Sequence, residues 1–512
     1  MTEHYTPPTA TNQPSASALM PQSDSDGSRG APLRRLVASG LGWSLLNSMV
    51  SRGGQLVAGI VLARLLSPEE FGVFAVALVA FNIVLSVSEL GVSLAIVRTP
   101  GDVSSIAPTV TTLAIASSAI LAAICFAGSP WFASTLGAPE ASGVLQVMSL
   151  AVLLAGPTAV PAALLQRAFR QDRKMAVDLV NFAVSTLVAI VLALRGYGAW
   201  SLAWSRVAGN AASALLLLVL APARYGPGFN AKQARQLLAF GLPLAGSSLL
   251  VFAILNVDYM VVGSLLGPIP LGLYLLAFNL SSWPVTAFSN VVRSVSLPGF
   301  SRLVSEPEAL RSGFARSLGL LMAVTIPVCA LLAALGPPLV RFVYGARWAP
   351  AASALAFLAL LGVFRVALEL AYDFLVAVGE SRAILRLQVV WLLALAPTLW
   401  LAARIDGIRG IGLGHAAVAA LVVTPAYLRV LRRHGILARH LAAHLVRPLA
   451  GGALAIGVAL TVRVLVPGDL LQLAVGGAIA LAVYVLVVWP LLRPLVPGAD
   501  RRPILAWRRW ST

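Results

Sequence analysis

Leu65-Leu66-Ser67-Pro68-Glu69-Glu70-Phe71-Gly72-Val73-Phe74 returns 200 residues later as Leu265-Leu266-Gly267-Pro268-Ile269-Pro270-Leu271-Gly272-Leu273-Tyr274. Each copy joins the first and second apolar runs of a set of six, so the chain reads as a duplicated block. A weaker echo sets Gly196-Tyr197-Gly198-Ala199-Trp200-Ser201-Leu202 beside Gly407-Ile408-Arg409-Gly410-Ile411-Gly412-Leu413, each opening a sixth run. A repeat with an even number of spans keeps its orientation, so the two halves are related by an axis along the membrane normal. A cleft between two such lobes is the natural seat of a substrate.

The apolar runs themselves are long enough to cross a bilayer, which takes roughly 20 residues of helix. They occupy 41–63, 71–97, 107–127, 143–165, 175–194 and 199–221, then 237–266, 271–296, 317–335, 351–378, 387–403 and 411–431, and finally 448–466 and 470–492. The expected fold is therefore all-α, a polytopic membrane protein of fourteen transmembrane helices. Its organisation follows: a disordered cytoplasmic tail (1–36), an N-lobe (37–221), a cytoplasmic linker (222–236), a C-lobe (237–431), a basic cytoplasmic loop (432–447), a closing pair of spans (448–492) and a second cytoplasmic tail (493–512).

Composition agrees, with 59% hydrophobic and 11% charged residues and a mean hydropathy of +0.88. Soluble chains carry about 25% charged residues, so no sizeable soluble domain fits. The net charge of +18 suggests nucleic acid only if the charges cluster on a soluble surface. They do not: 26 of the 37 Lys and Arg fall in the tails, in the loops on their side or, for Arg429, at the adjoining end of a span, and 6 on the opposite side. That asymmetry places both termini in the cytoplasm and excludes a nucleic-acid partner. Arg34 and Arg35 precede a run that contains Arg52 and Gln55 and has no cleavage site, so they flank a first span rather than mark an export signal. Cys125 and Cys329 sit inside apolar runs and offer no disulfide or metal-ligand spacing. His440 and His444 are four apart, but no acid or cysteine accompanies them, and they belong to a basic helix suited to anionic membrane lipid. The sequence calls for no metal and no cofactor.

With the repeat and the spans in place, Leu62-Ala63-Arg64-Leu65-Leu66-Ser67-Pro68-Glu69-Glu70-Phe71-Gly72 resembles the signature of polysaccharide flippases in the multidrug, oligosaccharidyl-lipid and polysaccharide exporter superfamily. Glu89-Leu90-Gly91, with Arg98 beyond it, resembles the acidic element of the same family, and the likeness runs from about Leu36 to Arg433. The resemblance implies translocation of undecaprenyl-pyrophosphate-linked oligosaccharide units across the bacterial inner membrane by alternation of two lobes. The units implied are those of O-antigen, capsule or exopolysaccharide biosynthesis. If a cation gradient drives the movement, the coupling ion is H⁺ or Na⁺, and polysaccharide biosynthesis proteins are candidate partners. Ile269 and Pro270 stand where the first copy has Glu69 and Glu70, so those acids have no symmetric counterpart.

Charges inside spans are costly, about 2.5 to 3.5 kcal/mol each on insertion scales, and face a partner or a wet cavity. Arg293 and Arg463 lie near span ends and can snorkel. Arg52, Arg206 and Arg365 are too deep for that. A guanidinium keeps its charge and presents a planar fork matched to phosphate oxygens, so these three are candidate pyrophosphate ligands, with Gln55 and Asn210 beside them on the same helix faces. The alternative is structural pairing with Glu89, Asp258, Glu369 or Asp373, the same acids that are the candidates for ion coupling. Arg365, Glu369 and Asp373 recur every four residues and share one face of the tenth span. Two other functions compete. A cation-coupled multidrug exporter of the same architecture takes cationic substrates, which deep arginines repel. A membrane glycan polymerase or ligase needs an extramembrane catalytic segment, whereas the longest outer loop is Gly336 to Pro350 and contains no acid. No P-loop is present, so ATP hydrolysis is excluded and the chain is expected to be no enzyme.

Overall fold

A computed structural model describes residues 53–88, 96, 102–168, 170–223 and 225–493. Arg52, Glu89 and Arg98 lie outside the described residues, as do 1–36 and nearly all of 493–512. Within lipid every backbone N–H and C=O must be satisfied inside the segment, and the apolar runs accordingly form helices, with no strand among the described residues.

The first lobe comprises α1 (Gly53–Leu65), α2 (Pro68–Ser88), α3 (Ala107–Thr135), α4 (Ala141–Arg167), α5 (Gln171–Leu194) and α6 (Ala199–Leu220). The second comprises α7 (Ala231–Leu266), α8 (Pro268–Leu303), α9 (Pro307–Val343), α10 (Ala351–Ala377) and α11 (Ser381–Arg433). α12 (Ala438–Leu465) and α13 (Asp469–Leu491) close the chain. α11 is broken at Asp406 and Gly407, whose φ of 54° lies in the region glycine favours, so it carries two spans. Read that way, the helices of the described residues agree with fourteen spans.

Three helices are longer than a bilayer needs. α7 and α8 have 36 residues each and α9 has 37, about 54 Å at 1.5 Å per residue against a hydrocarbon core of about 30 Å. Segments expected as loops are therefore partly helical. The linker gives its last residues to α7, where Asn230 caps the helix by accepting from the amides of Lys232 (3.1 Å) and Gln233 (3.3 Å). The basic loop likewise divides between the end of α11 and the start of α12, with Gly435 (φ 79°) at the turn.

In the first lobe α3 packs on α4, α4 on α6 and α2, and α5 on α6. In the second, α10 packs on α8, α9 and α11. α12 and α13 dock on α9: Tyr484 donates to the Ala323 carbonyl (2.9 Å), Arg463 to the Ala334 carbonyl (3.0 Å), and Arg341 grips Asp469 (2.7 Å). Arg463, expected to snorkel, thus ties α12 to α9.

The lobes meet where the sequence repeats. α2 and α8 cross at their N-terminal turns, each opened by a proline of the repeated motif. A Cβ on Gly72 would overlap the Pro268 carbonyl oxygen, and one on Gly272 would overlap the Pro68 carbonyl oxygen and come within 2.8 Å of the Gly72 nitrogen. Ser67 and Glu70 form a reciprocal cap on α2, the Ser67 amide donating to Glu70 Oε2 (2.7 Å) and the Glu70 amide to Ser67 Oγ (3.2 Å). That carboxylate also packs on Gly198, where a Cβ would stand 2.6 Å from Glu70 Oε1. Around the crossing, Arg64 donates to the carbonyls of Val343 (2.8 Å) and Phe342, and the fully buried Trp348 donates to Ala63 (2.7 Å) with its ring edge-on to Phe71 at 5.0 Å.

Backbone geometry also corrects the weaker echo. Gly198 (φ 53°, ψ −132°) matches Gly407 (φ 54°, ψ −137°), so the true register is two residues away from the one that aligns Gly196 with Gly407.

Gly72→Ala and Gly272→Ala are expected to lower the melting temperature by an amount equivalent to about 1–3 kcal/mol of overpacking. Gly457→Ala, whose Cβ meets nothing within 4 Å, is expected not to. Thermal unfolding of the purified variants checks this.

Candidate functional site

A cavity of about 850 Å³ opens in the first lobe between α1, α2, α5 and α6. Its polar lining is Gln55 from α1, Asp178, Asn181, Ser185 and Thr186 from α5, and Ser205, Arg206 and Ser213 from α6. Phe74 and Phe182 supply the aromatic surface, and Phe182 leaves no room for a side chain at Gly54, where a Cβ would lie 2.5 Å from the ring. α5 and α6 can present these groups together because they pack closely: a Cβ on Gly209 would lie 2.9 Å from Ser185 Cβ and 3.0 Å from the Asn181 carbonyl. Asn181 Nδ2 then reaches across to Asn210 Oδ1 (3.1 Å) and Ser213 Oγ (3.0 Å). Arg206 is exposed to the cavity and has no ion-pair or hydrogen-bond partner among the described residues. An unpaired guanidinium at membrane depth, set among amides and hydroxyls, is equipped to bind an anion attached to a polar, hydroxyl-bearing group.

A second polar cluster sits in the other lobe. Asp258 on α7 is buried and accepts from the Tyr274 hydroxyl of α8 (2.8 Å), while its Oδ1 has no hydrogen-bond partner. Arg365 on α10 donates to Ser282 Oγ (3.2 Å), lies over the Phe278 ring at 5.6 Å, and is within electrostatic reach of Asp258 and of His415 on α11. Both ring nitrogens of His415 and Oε2 of Glu369 are buried without hydrogen-bond partners among the described residues. Asp373 is buried and accepts from Ser296 Oγ (2.8 Å). Unsatisfied buried polar atoms cost about 1–3 kcal/mol each, so their concentration here is costly without a further partner.

The structure therefore divides the expected site residues between the lobes. Gln55 and Arg206 share the first-lobe cavity, and Asn210 stands behind it, holding Asn181. Arg365, Asp258, Glu369 and Asp373 belong to the second lobe, and the stripe on α10 turns toward α8 rather than pairing within itself: Arg365 bonds Ser282, not Glu369. Sequence reasoning missed the α5 wall. Asp178, Asn181 and Ser185 have the i, i+3, i+7 spacing of one helix face, a signal that a search confined to charges passes over.

Residues 61–353 match the family described as polysaccharide biosynthesis protein, more than half of the chain. The chain belongs to this family. Among relatives of the family member, the succinoglycan biosynthesis transport protein ExoT of Rhizobium meliloti (strain 1021) is 29% identical over 332 residues, covering 64% of this chain and 66% of that protein, just under two thirds of its length. The lipopolysaccharide biosynthesis protein WzxC of Escherichia coli (strain K12) is 22% identical over 406 residues, 78% of this chain and 82% of that one. Among solved structures, the lipid II flippase MurJ in an inward closed conformation aligns at a TM-score of 0.73 with 15% identity, covering 89% of this chain and 99% of its own. An inward-facing multidrug resistance transporter of the MATE family and MOP superfamily aligns at 0.62 with 16% identity, over 75% of this chain and 95% of its own. These likenesses establish the fold of a multi-pass membrane protein with two helical lobes.

Asn210→Ala removes one of the two acceptors of Asn181 and is expected to destabilise the α5–α6 pair by about 0.5–1.5 kcal/mol. A lower melting temperature with unchanged membrane insertion is the outcome to look for.

Proposed function

We propose that this polysaccharide biosynthesis protein moves undecaprenyl-pyrophosphate-linked oligosaccharide units across the bacterial inner membrane, both termini being cytoplasmic, and that it does so by alternating access rather than as an enzyme. The observation that carries this reading is Arg206, without a partner among the described residues, in a large hydroxyl- and amide-lined cavity. About 850 Å³ falls in the upper part of the range of ligand sites, roughly 300–1,000 Å³. A pyrophosphate needs more than one charge-assisted donor. Arg206 supplies one, and Arg52, one turn before Gln55 in the sequence, and Arg365 across the molecule are the others proposed. The multidrug-exporter reading fits the fold less well, and a guanidinium lining the cavity disfavours cationic cargo.

The cluster around Asp258, Glu369 and His415 is proposed to take the coupling ion, H⁺ or Na⁺, with Arg365 linking its occupancy to the cargo. Asp373 and Glu89 are the further carboxylates in this proposal. Alternating access also requires the seam at Gly72 and Gly272 to open, because it holds the lobes together at one end.

Arg206→Ala is expected to reduce export at least about tenfold, the loss of one charge-assisted contact to phosphate, while the protein still reaches the membrane. Mass spectrometry of inner-membrane lipids, combined with a leaflet-protection assay, is expected to find complete lipid-linked units on the cytoplasmic side. Accumulation on the periplasmic side, or an unchanged lipid pool, removes the proposal. A second test uses the seam. A Cβ on Gly263 would lie 3.7 Å from Leu136 Cβ on the other lobe, close to the about 3.8 Å of a disulfide. Leu136→Cys with Gly263→Cys is expected to cross-link on oxidation, stop export, and recover with reductant. Export that continues in the cross-linked protein would show that the lobes need not part there.

A further inference from the structure

The hydrogen-bonding state of the α5–α6 wall says which chemistry the cavity reads. Ser185 Oγ donates to the Asn181 carbonyl (2.6 Å), Ser205 Oγ to the Leu202 carbonyl (2.7 Å) and Ser213 Oγ to the Gly209 carbonyl (2.9 Å). Each hydroxyl proton is thus engaged by the backbone of its own helix, and each oxygen keeps acceptor capacity. Asn181 is in the same position. Its Nδ2 donates twice, to Asn210 Oδ1 and Ser213 Oγ, which leaves its Oδ1 as an acceptor. Among the described residues, donors in the polar lining are confined to Gln55, Thr186 and Arg206.

We propose that Asn181, Ser185 and Ser205 form an acceptor wall that binds the sugar of the cargo through the sugar's own hydroxyl hydrogens, with the anionic group held at Arg206. The proposal rests on the reading of the cavity as a site for lipid-linked glycan. It narrows the ligand class to sugars with free hydroxyls at this wall. An ether, ester or carboxylate placed there brings oxygen against oxygen and leaves buried acceptors without a proton. Asn210 is a positioning residue: by occupying the Asn181 amide it decides which end of Asn181 the ligand meets.

The test compares methyl maltoside with analogues in which single hydroxyls are replaced by fluorine, which is close in size and cannot donate. Binding to the full chain in detergent-free nanodiscs is read by saturation-transfer NMR. Replacement of the hydroxyls that meet the wall is expected to weaken binding about tenfold, the range seen when a polar site loses its hydrogen-bonding group. Ser185→Ala removes one acceptor with little effect on packing and is expected to abolish the penalty for one fluorinated position while leaving the others. Asn181→Leu is expected to weaken the unmodified sugar. Fluorinated analogues that bind as well as the parent, a Ser185→Ala variant with an unchanged pattern of penalties, or a folded protein that binds no maltoside would each overturn the acceptor wall. Depletion of the protein, read by the lipid assay above, separates the two levels. Cytoplasmic accumulation of lipid-linked units with a failed NMR test removes the wall and keeps the transport function, whereas an unchanged pool removes both.

Discussion

Two glycines let the N-terminal turns of α2 and α8 touch backbone to backbone, and the relation between the lobes follows from that contact. Neither crossing tolerates a Cβ, since each would enter the carbonyl of the proline that opens the opposite helix. The proline serves two purposes at that position: it needs no N–H partner at the first helical turn, and it presents a carbonyl to the facing glycine. Around this point the chain adds contacts that the repeat does not supply in both copies. The Ser67–Glu70 cap occurs in the first copy alone, because the second has Gly267 and Pro270 at those places. The asymmetry has a structural use. Glu70 fills the space left by Gly198, and the turn before α2 is gripped by Arg64 and Trp348. The motif that looks like a signature is thus a joint between lobes, with its polar atoms accounted for by the joint itself.

Away from the joint, the cost of polar groups in lipid sorts the side chains. Serines and threonines on these helices mostly return their protons to carbonyls three or four residues back, which keeps them satisfied in an apolar setting and leaves acceptor oxygens on the surface. Charges have no such local solution. Arg463 reaches a carbonyl on another helix, and Arg365 takes a hydroxyl and an aromatic face. Arg206 has no partner among the described residues and lines the cavity. Differences among arginines that look alike in a hydropathy profile therefore become differences of role.

Much of the fold was legible in the chain before any coordinates. Apolar run length, the 200-residue repeat and the distribution of Lys and Arg are each set by local sequence against a constant solvent, the bilayer. The limits of that reading are equally physical. Helix ends beyond the hydrocarbon are governed by caps such as Asn230 rather than by hydropathy, so the linker and the basic loop turned out shorter than expected. The echo between the sixth spans was misaligned by two residues, because Gly196 and Gly198 both have positive φ and only the backbone shows which one matches Gly407.

For the site, the sequence by itself determined which residues are too polar for lipid and on which helix face each lies, since a 3.6-residue period needs no tertiary information. Arg206, Gln55 and Asn210 were identifiable on that ground, as were Arg365 and the acids. Tertiary structure alone decided which faces meet. It put Gln55 and Arg206 in one cavity, assigned Arg365 and Asp258 to the other lobe, and drew Asn181 and Ser185 into the wall through the close approach of α5 and α6 at Gly209. The reason is that a helix face has a direction only along its own axis, and its partner is chosen by packing between segments far apart in the chain.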